Sequence, residues 1–326
     1  KNKSKIYEKI EKGIFNFIIG THAIFQENLN FSSLAYVIID EQHRFGVQQR
    51  LYLAEKGVNT NILLMSATPI PRTLALAQYG EIEQVILKEK PAFQKPIITK
   101  VSSIDKIKDI EILLKKKISN VSQVYWICPL VEASETQKYK DVETRFKSLK
   151  NIFGSEVEML HGKIKSDQKE RIIQNFQKGN IKILVATTVV EVGIDNKNAD
   201  YIVIENAEKF GLSQLHQLRG RVGRGNNQGY CFALYGKDLP DNTINRLKIF
   251  KENLDGFKLS EKDLEIRGTG DILGYRQSGD SLFKFVNVYH DQELIIDALQ
   301  YVKKLIEKKE YENCLLYTSD AADEVA

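Results

Sequence analysis

No apolar run in the 326 residues is longer than a strand, so the sequence offers no transmembrane helix, and no hydrophobic stretch near the start has the form of a secretory signal. Cysteine is scarce. Cys128, Cys231 and Cys314 lie far apart, which excludes a disulfide framework and any paired-cysteine metal motif, and a reducing cytoplasm fits them. The five histidines are equally scattered, and no structural metal is expected. Neither sign of charge dominates. With 47 Lys and Arg against 43 Asp and Glu, the net charge of +4 permits an anionic partner without demanding one. No internal repeat is present, and the length suits two domains.

What is present is a series of short Ile- and Val-rich runs: "FNFIIG", "AYVIID", "NILLMSAT", "QVYWICP", "VEMLHG", "IKILVATT", "DYIVIENA" and "YCFALYG". Most lack clean alternation, as strands covered on both faces do. Helix-length polar segments separate several of them. In "DQKERIIQNFQKGN", Ile172, Ile173 and Phe176 line one face and Gly179 suits the C-terminal cap. Alternating strands and helices imply an α/β fold with parallel sheets. The runs form two groups, and "KEKPAFQKPIITK" between them reads as a linker. From near Lys237 helical patterns follow ("NTINRLKIFKENL", then "SEKDLEIR"), joined around "DGF". Next comes a stretch broken by Gly268, Gly270, Gly274 and Gly279. The sequence opens without Met, so further residues are expected upstream, and "CLLYTSDAADEVA" at its end reads as a non-native tail.

One stretch raises a chemical question. In "YVIIDEQHRFG" a buried-strand pattern runs straight into Asp40, Glu41, Gln42 and His43. Ligands of open parallel sheets sit beyond the carboxyl ends of strands. Two carboxylates there can divide labour: one holds a hydrated Mg²⁺, and the other orients or deprotonates a water. A solvated strand-to-loop junction is the bland alternative for two acids alone.

The longer string resembles motif II of the superfamily 2 helicases in the form found in the RecG family. Six further segments agree in order: "GTHAIFQ", "MSATPIPRTLAL", "YWICPLVEASE", "LHGKIKSDQKERIIQNFQ", "ILVATTVVEVGIDNKNADYIVIENAEKFGLSQLHQLRGRVGRG" and "DLEIRGTGDILGYRQSG". They resemble motifs Ib, III, IV, IVa, V with VI, and the family's translocation motif. The resemblance covers about residues 14 to 300. It implies two RecA-like parallel-sheet domains, the first truncated at its N-terminus, followed by a helical hairpin and translocation loop. The implied boundaries are 1–92, 93–236 and 237–313, with 314–326 as the tail. It also implies an ATP-dependent DNA helicase with ATP and Mg²⁺ as cofactors. Branched or duplex DNA, such as stalled forks and Holliday junctions, would be its partner. A monomer and a location at the bacterial nucleoid follow. The sequence carries no legible signal for a contact with single-stranded-DNA-binding protein.

Residue by residue, the resemblance makes Asp40 the Mg²⁺ holder, through water, and Glu41 the base for hydrolysis. Gln42 and His43 link the nucleotide to the motor, and the hydroxyls of Ser66 and Thr68 join that group to DNA movement. Arg221 and Arg224, three apart and so on one face of a helix, match arginine fingers that stabilise a γ-phosphoryl transition state, with Gln217 beside them. Gly193 and Asp195 match residues near the nucleotide. Thr187 and Thr188 match hydroxyls at DNA phosphate, and Thr21, His22, His161 and Gly162 are weaker DNA candidates. Arg246, Arg267 and Gln277 match the coupling residues of the translocation motif.

The transcription–repair coupling factor is the nearest rival, but its usual second Glu is here Gln42. A non-enzymatic nucleic-acid-binding fragment is the other alternative. The phosphate-cradling pattern G-x-x-x-x-G-K-[ST] occurs nowhere in the 326 residues, and in this family it lies upstream of "GTHAIFQ". So does the wedge domain that engages branched DNA. The sequence therefore reads as the C-terminal portion of such a helicase, inactive alone.

Overall fold

The apolar runs become strands where a neighbouring strand lies beside them to complete the ladder. The computed structural model describes residues 2–26, 28–41, 56–57, 60–66, 85–87, 89, 94–118, 122–129, 140–187, 196–267 and 291–308. Described residues up to Ser66 form one unit, and those from Val85 onward form a second.

The first unit contains helix α1 (Asn2–Glu11), a 3₁₀ turn at His22–Phe25, and strands β1 (Tyr36–Ile39) and β2 (Asn61–Leu64). The strands pair in parallel, Tyr36 opposite Asn61 and Ile39 opposite Leu64. Val37 and Ile39 are buried and pack with Ile24, Phe31, Leu34 and Leu64. The run "FNFIIG" departs from its strand expectation. It forms no strand, and Phe17 and Ile19 are 78% and 86% exposed. No described strand lies beside it to supply ladder partners, and hydrophobicity alone does not make a strand.

The second unit is built on six parallel strands in the order β3-β8-β7-β4-β6-β5. In chain order they are β3 (Ile98–Ser103), β4 (Gln123–Ile127), β5 (Val157–Leu160), β6 (Ile183–Ala186), β7 (Ala199–Ile204) and β8 (Tyr230–Tyr235). Helices α2 (Ile107–Lys117), α3 (Lys140–Phe153), α4 (Ser166–Gln177) and α5 (Leu212–Arg219) alternate with them. They are followed by α6 (Asp241–Glu252), α7 (Gly256–Arg267) and α8 (Gln292–Glu307). The sequence expectation of α/β parallel-sheet architecture holds.

Two cores explain the unbroken apolar runs. Tyr125, Ile127, Leu184, Ala186, Ile202 and Ile204 point to one face, against Phe176 of α4, Leu215 and Leu218 of α5, Phe250 of α6 and Leu259 of α7. Their neighbours Val124, Trp126, Ile183, Val185, Tyr201 and Val203 point to the other, against Ile110 and Leu114 of α2 and Val142 and Leu149 of α3. Side chains alternate across a strand, so a strand with helices on both faces must be apolar at every position. Edge strand β3 ("ITKVSS") is half exposed, so its sequence lacks the unbroken apolar run of the inner strands; it takes in the last three residues of the expected linker.

The strand ends carry the polar groups. At the amino end of β4, the buried Gln123 side chain donates to Phe176 O and Ile181 O, both at 2.5 Å, and accepts from Asn196 at 3.0 Å. At the carboxyl end of β7, Glu205 accepts from Trp126 Nε1 and pairs with Arg145 Nε of α3, both at 2.5 Å. Arg145 Nη1 also reaches Glu111 of α2 at 3.3 Å. This buried network ties α2 and α3 to the sheet's carboxyl edge. Cys128 and Cys231 are buried thiols. Burial pushes Cys231 up to about 12, which leaves it a packing residue rather than a nucleophile. Among the described residues no helix is long and apolar enough to cross a membrane.

Candidate functional site

In the first unit, β1 delivers Asp40 and Glu41 to the carboxyl end of a parallel pair. Asp40 is exposed and Glu41 half-buried. The Glu41 N–H donates to Asp40 Oδ1 at 2.9 Å, which fixes the Asp40 carboxylate against the backbone. Glu41 has φ 52°, in the left-handed region that a non-glycine residue adopts at a cost of roughly 1–2 kcal/mol. Strain of this kind collects where a side chain must be aimed. Met65 N–H donates to Ile39 O at 2.8 Å, so half-buried Ser66 leaves β2 beside the Asp40–Glu41 turn. These three expected site residues are thus brought to one edge. Thr21 is exposed just before the 3₁₀ turn, where Ile24 N–H donates to its carbonyl at 3.0 Å. His22 opens that turn; its side chain, with Gln42, His43 and Thr68, lies outside the described residues.

In the second unit, the carboxyl edge of the sheet gathers another group. His161 follows β5 and is 9% exposed. Lys163 N–H donates to His161 Nδ1 at 3.3 Å, so the ring proton resides on Nε2. Burial lowers the pKa of this imidazole and keeps it neutral near pH 7. Gly162 is exposed, and its carbonyl accepts from Lys169 at 2.9 Å. Thr187 follows β6, and its N–H donates to Leu160 O at 3.4 Å. The expected phosphate-facing hydroxyl is wholly buried, with no hydrogen-bond partner among the described residues. Thr188, Gly193 and Asp195 lie outside those residues.

The arginines require a correction. The spacing expectation put Arg221 and Arg224 on one helical face, but α5 ends at Arg219. Gly220 caps it, Gly223 turns at φ 68°, and both arginines, half-buried, occupy the loop beyond. Arg221 N–H donates to Leu218 O at 3.0 Å, and Arg224 Nε to Gly220 O at 2.9 Å. Gln217 is half-buried on the last turn of α5. The loop is held by two glycines in backbone contact. A Cβ on Gly229 would stand 2.9 Å from Gly223 Cα, and one on Gly223 would stand 3.2 Å from Gly229 Cα. Gly229→Ala is therefore expected to lower stability by about 1–3 kcal/mol, as overpacking of a tight contact does. Urea unfolding checks this, and an unshifted midpoint would mean that the loop moves aside freely.

Arg219 was missed. It is 2% exposed. Nη1 donates to Phe250 O and Nη2 to Asn253 O, both at 2.8 Å, and the guanidinium lies 4.5 Å from the Phe250 ring centroid. It thereby fastens α5 to the end of α6. A signal was there: Arg219 falls four residues after Leu215 and seven after Leu212, on the buried face. From α7, Asp263 Oδ1 accepts the Leu212 N–H at 3.4 Å at the start of α5. Half-buried Arg246 of α6 donates to the Glu208 carbonyl, so it is anchored rather than solvated. The side chain of Arg267, the last residue of α7, and all of Gln277 lie outside the described residues.

Residues 1–77 match the DEAD/DEAH box helicase family, and residues 102–226 match the helicase conserved C-terminal domain. The ATP-dependent DNA helicase RecG of Borreliella burgdorferi is 47% identical over 91% of this chain and 43% of its own length. The RecG of Haemophilus influenzae is 43% identical over 94% of this chain and 45% of its own. A solved structure of RecG bound to a three-way DNA junction superposes with a TM-score of 0.67 at 38% identity, covering 90% of this chain and 38% of that one. Mss116p, at 18% identity and a TM-score of 0.58, shares the fold alone. The chain spans under half the length of the curated relatives it matches. With helicase-family matches in both units and 42–47% identity to RecG proteins along about nine-tenths of its length, the chain belongs to the RecG family of helicases.

Proposed function

We propose that this chain is the motor portion of an ATP-dependent DNA helicase that remodels branched DNA. The observation that carries the proposal is the 47% identity, over 91% of this chain, to a protein named as the ATP-dependent DNA helicase RecG, and the structure of a RecG bound to a three-way DNA junction supports the branched substrate. The paired carboxylates at the mouth of β1 support it, because their hard oxygens suit Mg²⁺. Mg²⁺, when bound, neutralises phosphate charge. Asp40 would hold it, with its carboxylate oriented by the Glu41 N–H, and Glu41 would take the proton of the attacking water. Gln42, His43, Ser66 and Thr68 carry the state of that site toward DNA. Arg221 and Arg224 stabilise charge on the transferring phosphoryl group, with Gln217, Gly193 and Asp195 nearby. Thr21, His22, His161, Gly162 and Thr188 face the DNA backbone, and Thr187 supports that edge from beneath. Arg246, Arg267 and Gln277 pass displacement through α6 and α7.

The sequence contains no G-x-x-x-x-G-K-[ST], so the 326-residue chain alone is expected to show no ATP turnover. A chimera carrying the upstream part of the Borreliella burgdorferi relative is expected to hydrolyse ATP when DNA is present and to unwind a three-way junction. Robust turnover by the chain alone would overturn the fragment reading. A folded, DNA-binding chimera without ATPase would overturn the motor reading.

A further inference from the structure

A cleft of about 450 Å³ lies wholly within the second unit, at the end of α5. Its size falls in the range of small-ligand sites. Lys95, Lys197, Arg219 and Arg224 line it, together with His216, and no Asp or Glu is among its described lining residues. The whole chain holds almost as many acids as bases, 43 against 47, so this grouping departs from the average surface. The two lysines are exposed, Arg224 is half-buried, and Arg219 is buried.

Arg219 sharpens the point. Its described partners are two backbone carbonyls, the Thr99 hydroxyl at 3.5 Å and His216 Nδ1 at 2.9 Å. A guanidinium only donates, so His216 accepts at Nδ1 and is neutral there. These partners satisfy hydrogen bonds but supply no negative charge. A buried cation is ordinarily matched by an anion, and none of the described carboxylates pairs with this one.

We propose that this cleft binds a phosphate group, with Lys95, Lys197 and Arg224 reaching it directly and Arg219 supplying charge from the wall. Arg224 is shared with the nucleotide reading; the assignment of Lys95, Lys197 and Arg219 goes beyond it. The phosphate can belong to a nucleotide or to a nucleic-acid backbone, since both present the same oxygens to the same cations.

The test uses the 326-residue chain with pyrophosphate as the probe, at low ionic strength and without Mg²⁺ or ATP. The imidazole resonances of His216 report binding, because the ring touches Arg219. Saturable shifts are expected. Lys95→Glu with Lys197→Glu is expected to weaken binding by about tenfold or more, as loss of charge-assisted contacts does. Both side chains are exposed, so the thermal melting of this variant should match the parent. Displacement of pyrophosphate by a duplex oligonucleotide identifies a backbone site, displacement by ATP identifies a nucleotide site, and either supports the proposal. No shift, or equal binding by parent and double variant, overturns it and leaves these cations as caps for the carbonyl ends of α5 and α6. Catalysis by the chimera is read separately, so failure here leaves the motor reading standing, and failure there leaves this one.

Discussion

Glu41→Gln in the chimera is expected to cut DNA-saturated ATP turnover by about 10²–10⁴-fold, the usual loss when a positioned general base is removed. The substitution keeps shape and hydrogen-bonding capacity and removes only basicity. It also keeps the backbone demand. Position 41 sits at φ 52° in either case, and the Asp40 Oδ1 contact comes from the main-chain N–H of residue 41. The turn should therefore form as before, and nucleotide affinity should change little. Asp40→Asn is the contrasting variant, since it weakens the cation ligand and should lower turnover through Mg²⁺ dependence. Single-turnover hydrolysis and nucleotide binding on one preparation separate the two. Turnover near that of the parent in Glu41→Gln would remove Glu41 from the role of base and leave its left-handed backbone as a purely structural turn.

Much of this arrangement was legible in the sequence because the physics acts locally. The run "QVYWI" lacks alternation, and all five residues of β4 are buried between two helical layers. The acids after "YVII" were legible because an apolar strand that runs into charge must end at a surface, although β1 is buried only at Val37 and Ile39 and exposes Tyr36 and Ile38. The missed features depend on partners far along the chain. Gln123 looks misplaced in a core strand until Asn196 and the carbonyls of Phe176 and Ile181 surround it. Arg219 reads as one more member of a basic motif until the end of α6 supplies its acceptors. "FNFIIG" shows the same limit from the other side, since a strand needs a neighbour that its own residues do not name. The helical expectation for the arginines failed for a local reason that weighed less than it should have. Gly220 and Gly223 stand within the motif, and glycines at a helix end release the chain into the left-handed turn observed.

That correction bears on the largest effect expected. Arg221→Ala and Arg224→Ala, each in the chimera, are expected to lower turnover by roughly 10³–10⁵-fold, the measured worth of arginine fingers in phosphoryl transfer. DNA binding should be largely retained. On one face of a helix the two guanidiniums would act as a rigid pair. In a loop they need not move together, so their contributions can differ. Arg224 Nε donates to Gly220 O, which ties its guanidinium to the end of α5. Lysine in that place keeps the charge but loses the planar fork, so Arg224→Lys should recover only part of the rate. A simple phosphate-backbone contact behaves otherwise: its loss lowers DNA affinity and reduces the salt dependence of binding, while turnover at saturating DNA survives. ATPase measured across DNA and salt concentrations distinguishes the two. Retained turnover at saturating DNA in both alanine variants, with weakened affinity, would move Arg221 and Arg224 from the nucleotide to the nucleic acid.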